Sequence, residues 1–375
     1  MKKLGFGMMR LPMPDAKVQD KVDFEQVCTM VDTFLERGFT YFDTAYMYHG
    51  GISEHVVRQA VVERHPRESF TVADKMPMMR FKENDTEQEQ ARIFDEQLAK
   101  CGVEYFDYYL LHNLNSRDYP TTKRLNTFQF LLQKKADGKI RHLGFSFHDK
   151  ADLLDQILTE HPEVDFVQLQ LNYLDWEDER VQSRKCYETV VKHNKKVVVM
   201  EPVKGGRLAN VPTEVEQMMR AAHPDWSPAS WAIRFAASLE HVMMVLSGMS
   251  NTDQLLDNTN YMQNFVPLTE DEVKLLEKAA EIISAQPAIA CTACRYCVDG
   301  CPRDIQIPDF FMLYNQDQMT LRQGGSANRE EYRKRAEGHG FASSCVDCKQ
   351  CESACPQHLP ITSLLQRVVN TYEKA

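Results

Sequence analysis

The sequence has no apolar run of about 18 residues, so no segment reads as a membrane span. It has no basic excess: the formal net charge is −10. That argues against a nucleic-acid partner, since the phosphate backbone demands a basic footprint. A basic electron carrier would be compatible with this charge, although acidity alone does not argue for one. The first residues, MKKLGFGMMRLP, carry two lysines and a short apolar run that breaks at Pro12 with no small-residue cleavage pattern after it. They do not read as a signal peptide, and the expected compartment is the cytoplasm. A glycine-rich phosphate loop is also missing where a doubly wound sheet would place one, after the first candidate strand; GFGMMRLPMP stands there instead.

The chain has 375 residues, more than one core usually organises, so a large domain plus a smaller one is expected. Up to about residue 265, short apolar runs alternate with amphipathic ones. The strand-like runs are Leu4–Met8, Thr40–Asp43, Phe70–Lys75, Phe106–His112, Ile140–Ser146, Val164–Gln168, Lys195–Met200 and Val242–Ser247. Helical spacing marks Phe24–Arg37, Ser53–Arg64, Gln88–Cys101, Thr122–Lys135, Asp152–Glu160, Glu179–His193 and Asp253–Tyr261. Gly38, Gly102 and Gly138 stand where C-terminal caps are expected. This alternation predicts an α/β protein with a (β/α)8 TIM barrel, rather than an open sheet. Leu268–Ser284 reads as a closing helix, and Ala285–Ala290, with Pro287, as a linker. The expected domains are 1–285 and 286–375. Within the second, Asp309–Gln318 looks helical, and Gly324–Gly340 reads as polar loop.

Barrel active sites gather at the C-terminal ends of the strands. Asp43 ends the second strand, Lys75 the third and His112 the fourth, with Tyr48 in the loop after the second. Each alone has a bland explanation: a turn cap, a solvated lysine, an edge histidine, a rim tyrosine. Together they match one chemistry. Reducing a carbonyl needs a hydride on carbon and a proton on oxygen. A tyrosine can give the proton, a neighbouring lysine favours its phenolate, an aspartate holds that lysine, and a histidine orients the carbonyl.

These stretches carry a resemblance. FDTAYMYH (42–49), VADKMP (72–77) and FDYYLLHNLN (106–115) resemble the motifs of the aldo-keto reductases that hold the catalytic Asp, Tyr, Lys and His. The resemblance runs from Lys3 to about residue 265. It implies a barrel oxidoreductase that uses NADP or NAD without a Rossmann fold and acts on a small-molecule carbonyl. It also implies cofactor contacts: Ser146 and Gln168 on the nicotinamide carboxamide, Gly7 and Met8 lining cofactor and substrate, and Met200 as the platform under the ring. Gly205, Gly206 and Leu208 of EPVKGGRL would lie along the pyrophosphate. Gly248, Ser250, Gln254 and Asn258 of LSGMSNTDQLLDN would hold the adenosine end. Three residues depart from the family pattern: Phe147 where Asn is common, Met200 where Tyr is common, and Gln254 where NADP-preferring members carry Arg, for which Lys204 or Arg207 would substitute.

Of the 11 cysteines, eight crowd into 291–355, which points to metal rather than disulfides. Cys291, Cys294, Cys297 and Cys301-Pro302 read C-x2-C-x2-C-x3-C-P, and Cys345, Cys348, Cys351 and Cys355-Pro356 repeat the pattern. This is the run of bacterial two-cluster ferredoxins, in which the fourth cysteine serves the other cluster. Cys291, Cys294, Cys297 and Cys355 would then hold one [4Fe–4S] cluster, and Cys345, Cys348, Cys351 and Cys301 the other. The gap of 43 residues between Cys301 and Cys345 suits a mainly helical ferredoxin-like variant. Paired zinc sites are the weaker alternative. Cys28, Cys101 and Cys186 read as ordinary buried thiols.

Three functions follow. In the first, an iron–sulfur aldo-keto reductase reduces an aldehyde or ketone with NAD(P)H, or oxidises the alcohol in reverse. In the second, two [4Fe–4S] clusters link the barrel site to a ferredoxin- or flavodoxin-like electron carrier. In the third, the barrel is a non-catalytic redox-sensing module. The intact set of Asp43, Tyr48, Lys75 and His112 favours catalysis. A flavin usually splits hydride pairs for one-electron clusters, and no flavin motif is visible.

Overall fold

A computed structural model describes residues 2–14, 21–286, 288–320 and 328–374. Pro287 of the expected linker and the start of the expected 324–340 loop lie outside the described residues. The chain divides into two compact units, one of 1–203 with 218–276 and one of 204–217 with 277–375.

The first unit is a closed parallel barrel in which eight strands pair in sequence order, β8 returning to β1. The strands are β1 (Leu4–Gly7), β2 (Tyr41–Asp43), β3 (Thr71–Met76), β4 (Phe106–Leu114), β5 (Ile140–Phe147), β6 (Phe166–Gln170), β7 (Lys196–Met200) and β8 (Val242–Ser247). Their two faces bury different things. Residues such as Phe6, Phe42, Val72, Leu111 and Val199 join the main core shared with the helices. Tyr41, Ala73, Leu110, Phe166, Val198, Met244 and Leu246 form a separate cluster that fills the barrel. Strand side chains alternate with a period of two. The residue two positions after each filler therefore points the same way, nearer the C-terminal end. From Tyr41, Ala73, Leu110, Phe166 and Val198 that step gives Asp43, Lys75, His112, Gln168 and Met200. Gly144 makes the filling possible, because a Cβ there would come 2.5 Å from the Phe166 carbonyl oxygen and 2.8 Å from its ring.

The helices of this unit follow the apolar spacing with local breaks. The run read as Ser53–Arg64 is an α-helix at Ser53–Val57 that widens into a π-turn at Arg58–Val62. The run read as Thr122–Lys135 becomes Tyr119–Arg124 and Thr127–Ala136, split at Asn126, whose φ is 49°. Gly102 ends Glu87–Cys101 in the left-handed conformation expected of a C-terminal cap. Pro228–Ser238 is an added helix, capped by Ser227 and almost wholly buried, so it shows no polar face by which to read it.

The second unit contains the helices Ile307–Thr320, Arg329–Ala336 and Ile361–Tyr372, and Thr213–Ala222 falls across its boundary. Its core holds Phe310, Phe311, Tyr332, Leu365, Val368 and Tyr372. Tyr332 and Tyr372 stack with centroids 4.9 Å apart. The 324–340 segment was expected to be loop, but residues Arg329–Ala336 are helical. Pairs at i,i+4, Glu330–Lys334 at 3.0 Å and Glu331–Arg335 at 2.8 Å, support a helix whose sole large apolar anchor is Tyr332.

Candidate active site and cluster-binding motifs

Asp43, Lys75 and His112 come together on the barrel interior, with Tyr48 beside them. Lys75 Nζ donates to Asp43 Oδ1 at 2.6 Å and to the Thr44 carbonyl at 2.6 Å. The same ammonium lies 5.0 Å from the centre of the Tyr48 ring. Tyr48 meets the His112 ring edge-on, with centroids 6.0 Å apart. All four side chains are buried, Lys75 completely. Tyr48 opens a short turn in which His49 has a φ of 52°. The Leu11 N–H donates to His49 Nε2 at 3.2 Å, tying this turn to the segment after β1. Ser53 Oγ bonds Thr44 Oγ1 at 2.9 Å and donates to the Met8 carbonyl at 3.4 Å. The tyrosine loop is thus held from both sides.

Burial dominates the site's protonation. It pushes Asp43 up, while the Lys75 charge and hydrogen bond pull it down. It pushes Tyr48 well above the ordinary phenol value; Asp43, Glu201 and Asp74 add to that push, and Arg10 opposes it. It pushes His112 well below the ordinary imidazole value, and Lys75 and His148 push the same way. The sequence suggested a Tyr48 drawn toward its phenolate by Lys75. Desolvation reverses that direction, so Tyr48 holds its proton and His112 stays neutral.

Glu201 and Arg10 were missed by sequence reasoning. They form a 3.8 Å ion pair and both act on Tyr48. The available signal was an acid directly after the strand-ending Met200 and a base directly after MM at residues 8–9. Beneath Lys75 lies a second buried group. Asp74 Oδ1 accepts from the Lys75 N–H at 2.8 Å, and Gln97 donates to Glu54 at 3.0 Å and to the Lys75 carbonyl at 3.1 Å.

The residues expected to hold a dinucleotide divide between the units. Ser146 and Gln168 are register partners on β5 and β6. Ser146 Oγ accepts from the Asn113 N–H at 2.7 Å. Gln168 Oε1 is buried without a hydrogen-bond partner among the described residues. An amide oxygen left this way fits a donor such as a carboxamide NH2. Gly7 pairs with Asp43 across β1 and β2, Met8 is buried, and Met200 ends β7 opposite Gln170. After β8, Asn258 donates to Ser247 Oγ at 2.9 Å, the Ser250 N–H donates to Gln254 at 2.8 Å, and Ser250 Oγ donates to the Arg10 carbonyl at 2.9 Å. A Cβ on Gly248 would meet Arg10 at 3.1 Å. These residues suit a dinucleotide along β1 and β5–β8. Gly205, Gly206 and Leu208 belong instead to the second compact unit. There Gly205, with φ +64°, closes on Thr292, whose Cα and carbonyl oxygen would lie 2.7 Å from an added Cβ.

The cysteines group by fours around two cavities. One is lined by Cys291, Cys294, Cys297 and Cys355, the other by Cys301, Cys345, Cys348 and Cys351. The sequence repeat is also a backbone repeat. Left-handed residues recur at matching offsets: Ala293 and Asp347, Arg295 and Lys349, Asp304 and His358. Such turns point backbone N–H groups inward, and the Ala293 and Ile305 N–H groups donate to Cys291 and Cys301 Sγ at 3.4 and 3.5 Å. Burial raises the Cys297 thiol, as do Cys294, Cys291 and Cys355. Cys351 is raised to about 11 by burial first, with Cys345 and Cys301 contributing. A cationic iron core would offset the charge of four thiolates gathered around each cavity. Among the described residues no three such side chains close on a single ion; the thiols stand around cavities instead.

The family model for the aldo/keto reductase family matches residues 3–281. The chain belongs to the aldo/keto reductase family. A 4Fe-4S dicluster domain model matches residues 290–360, so this family member carries an iron–sulfur domain at its C-terminal side. Among curated relatives, the 9,11-endoperoxide prostaglandin H2 reductase of Trypanosoma cruzi is 24% identical over 278 residues, covering 73% of this chain and 89% of that protein. An uncharacterized oxidoreductase of Bacillus subtilis is 23% identical, covering 66% and 86%. A Bacillus halodurans aldo-keto reductase in its holo form superposes with a TM-score of 0.58 at 23% identity, covering 74% of this chain and 91% of its own. A Klebsiella pneumoniae aldo-keto reductase in complex with NADPH gives 0.57 at 20% identity, covering 74% and 90%. At these identities the structural likeness establishes the fold alone. Among the described residues no helix is long and apolar enough to cross a membrane.

Proposed function

We propose that this aldo/keto reductase reduces an aldehyde or ketone with NADPH or NADH, using Tyr48 as the proton donor. The observation that carries this is the Lys75 ammonium, held 2.6 Å from Asp43 and 5.0 Å from the Tyr48 ring centre in a buried site. A bound nicotinamide would supply hydride to the carbonyl carbon. Tyr48 would release its proton to the carbonyl oxygen as negative charge develops there. Burial keeps that proton on Tyr48 until then, which suits a donor better than a base. Lys75 and Arg10 offset the tyrosinate that remains. Neutral His112 hydrogen-bonds the carbonyl and fixes its approach. Gln168 and Ser146 would hold the carboxamide, Gly7, Met8 and Met200 the ring, and Gly248, Ser250, Gln254 and Asn258 the adenosine end. Gly205, Gly206 and Leu208 are assigned to the pyrophosphate on the resemblance alone.

The C-terminal domain would carry two [4Fe–4S] clusters with crossed ligands, each supplying one-electron transfer. The second cavity opens at exposed Cys348 and at Val346, which is 50% exposed. That exposure supports electron exchange there with a ferredoxin- or flavodoxin-like carrier. The test of the reductase is Tyr48→Phe, assayed anaerobically with NADPH, NADH and a panel of carbonyls. Turnover should vanish while nicotinamide fluorescence still reports binding; turnover at the parent rate would overturn the assignment.

A further inference from the structure

We infer that Asp74 is a positioning residue for the reaction: its carboxyl group takes up the Lys75 backbone N–H and so leaves the Thr44 carbonyl to the Lys75 ammonium. This rests on the reductase reading above and concerns only the barrel unit. Parallel strands exchange evenly spaced hydrogen bonds, and each strand returns to the same neighbour every second residue. Between β2 and β3 the Thr71 N–H donates to the Thr40 carbonyl at 2.7 Å, and the Thr44 N–H to the Ala73 carbonyl at 2.9 Å. The register pairs Phe42 with Val72 and Asp43 with Ala73. Continued by one step, it would carry the Lys75 N–H to the Thr44 carbonyl. That rung is exchanged. The Thr44 carbonyl accepts from Lys75 Nζ at 2.6 Å, and the Lys75 N–H donates to Asp74 Oδ1 at 2.8 Å. On its other side β3 keeps its pairing, with Lys75 opposite Leu110 on β4. The strand is thus released from β2 alone, at the residue that carries the ammonium.

The rest of the buried group keeps Asp74 in this task. Asp74 and Glu54 are both fully buried, and their carboxyl groups interact side chain to side chain. Two carboxyl groups in contact hold a proton between them. Burial first, and then the Glu54 charge, push Asp74 up, while Glu54 pairs with Lys100 at 3.4 Å. A protonated Asp74 donates from one oxygen to Glu54 and accepts the Lys75 N–H on the other. Gln97 holds the opposite end of the same residue, donating to the Lys75 carbonyl at 3.1 Å and to Glu54 at 3.0 Å. The Tyr109 hydroxyl in turn donates to Gln97. Side chains therefore grip Lys75 at both its N–H and its C=O. A buried N–H stripped of its acceptor is costly, and the ladder offers it the Thr44 carbonyl. Forming that rung would bring the Lys75 main chain to the place its ammonium now binds. The ammonium acts on Tyr48 from 5.0 Å, and its pull on the phenol weakens as it withdraws.

The test compares Asp74→Asn with Asp74→Ala in the full chain. Asparagine keeps an oxygen for the Lys75 N–H and turns an NH2 toward Glu54, as the protonated acid does; alanine offers neither. Crystal structures of both variants read the exchange without any need for turnover. The Lys75 N–H should lie on the Thr44 carbonyl in the Ala variant and stay on the side chain at 74 in the Asn variant. In anaerobic assays with a nicotinamide and a carbonyl that the parent reduces, Asp74→Ala should lower kcat about 10- to 100-fold, the cost of a misplaced catalytic group, and leave the cofactor KM within about twofold. Its alkaline break should move to higher pH, because a withdrawn ammonium favours the phenolate less. Asp74→Asn should restore both the parent break and most of the parent kcat. Asp74→Val, which fills the space without an acceptor, carries the Ala expectations should the Ala variant fail to fold. An Ala or Val variant with the parent kcat and break would overturn the inference, as would a Lys75 N–H that stays off the Thr44 carbonyl. An Asn variant that falls as far as Ala would overturn it too. A parent without carbonyl turnover would instead refute the reductase reading, and the crystal structures would still decide the exchange of the rung.

Discussion

Removing Lys75 should damage the barrel twice, and the two kinds of damage should separate. In Lys75→Met the chemistry loses its ammonium, and Asp43, 3% exposed, loses the partner 2.6 Å away. Stripping one partner from a buried ion pair costs roughly 3–5 kcal/mol. At about 2–3 °C per kcal/mol, that lowers the barrel's melting midpoint on the order of 6–15 °C. The loss should depend on pH. Burial raises the Asp43 carboxyl and Lys75 opposes this. Without Lys75 the folded value climbs further above the unfolded one of about 3.9. Stability is then present at low pH and lost as pH rises through the folded value, so the variant should suffer more at pH 8 than at pH 5.5. Adding Asp43→Asn removes the stranded charge and should recover most of the stability. It should not recover activity, since a lost proton-handling group costs typically 10²–10⁴-fold. Thermal melts of the parent, both single variants and the double, followed by far-ultraviolet dichroism at both pH values, supply the measurement. A double variant that loses the sum of the singles would refute the coupling, as would an unchanged melting midpoint for Lys75→Met at pH 8.

Other expectations follow from the same geometry. His112 is pushed well below its ordinary value by burial, so carbonyl reduction should show no break near pH 6.5; a fitted inflection there would mean an imidazolium in the working enzyme. The unfolded chain takes up that proton below about pH 6.5 and the folded chain does not, so His112 makes stability fall as pH drops below that point. If the clusters have crossed ligands, Cys291→Ser and Cys355→Ser should perturb one spin-resonance signal, and Cys301→Ser and Cys345→Ser the other. Signals that segregate instead by sequence run would reject the crossing. Asp74 is buried and raised well above its ordinary value by burial and by Glu54. Its folded value exceeds the unfolded one, so the parent loses stability as pH rises. Asp74→Asn should therefore melt higher than the parent at pH 8.5, with a smaller difference at pH 5.5; a variant that melts lower at both would refute a raised Asp74.

The barrel was legible because two periodicities agree. Its eight strand runs match the observed strands to within two residues at each end, and five of them, β2, β3, β4, β6 and β7, carry a filler and a functional residue two positions apart, as in Tyr41 with Asp43 and Ala73 with Lys75. The cysteine groupings were legible because ligand spacing is fixed by chemistry rather than by packing. Pro228–Ser238 was not legible, because a helix buried on nearly all sides shows no amphipathic stripe. Arg329–Ala336 failed for the opposite reason: one buried tyrosine among charges looks like loop. The protonation of Tyr48 was misjudged because sequence reveals the neighbour, Lys75, but not the desolvation that outweighs it. Arg10 and Glu201 were missed because their pairing joins residues 191 positions apart, across the segments after β1 and β7.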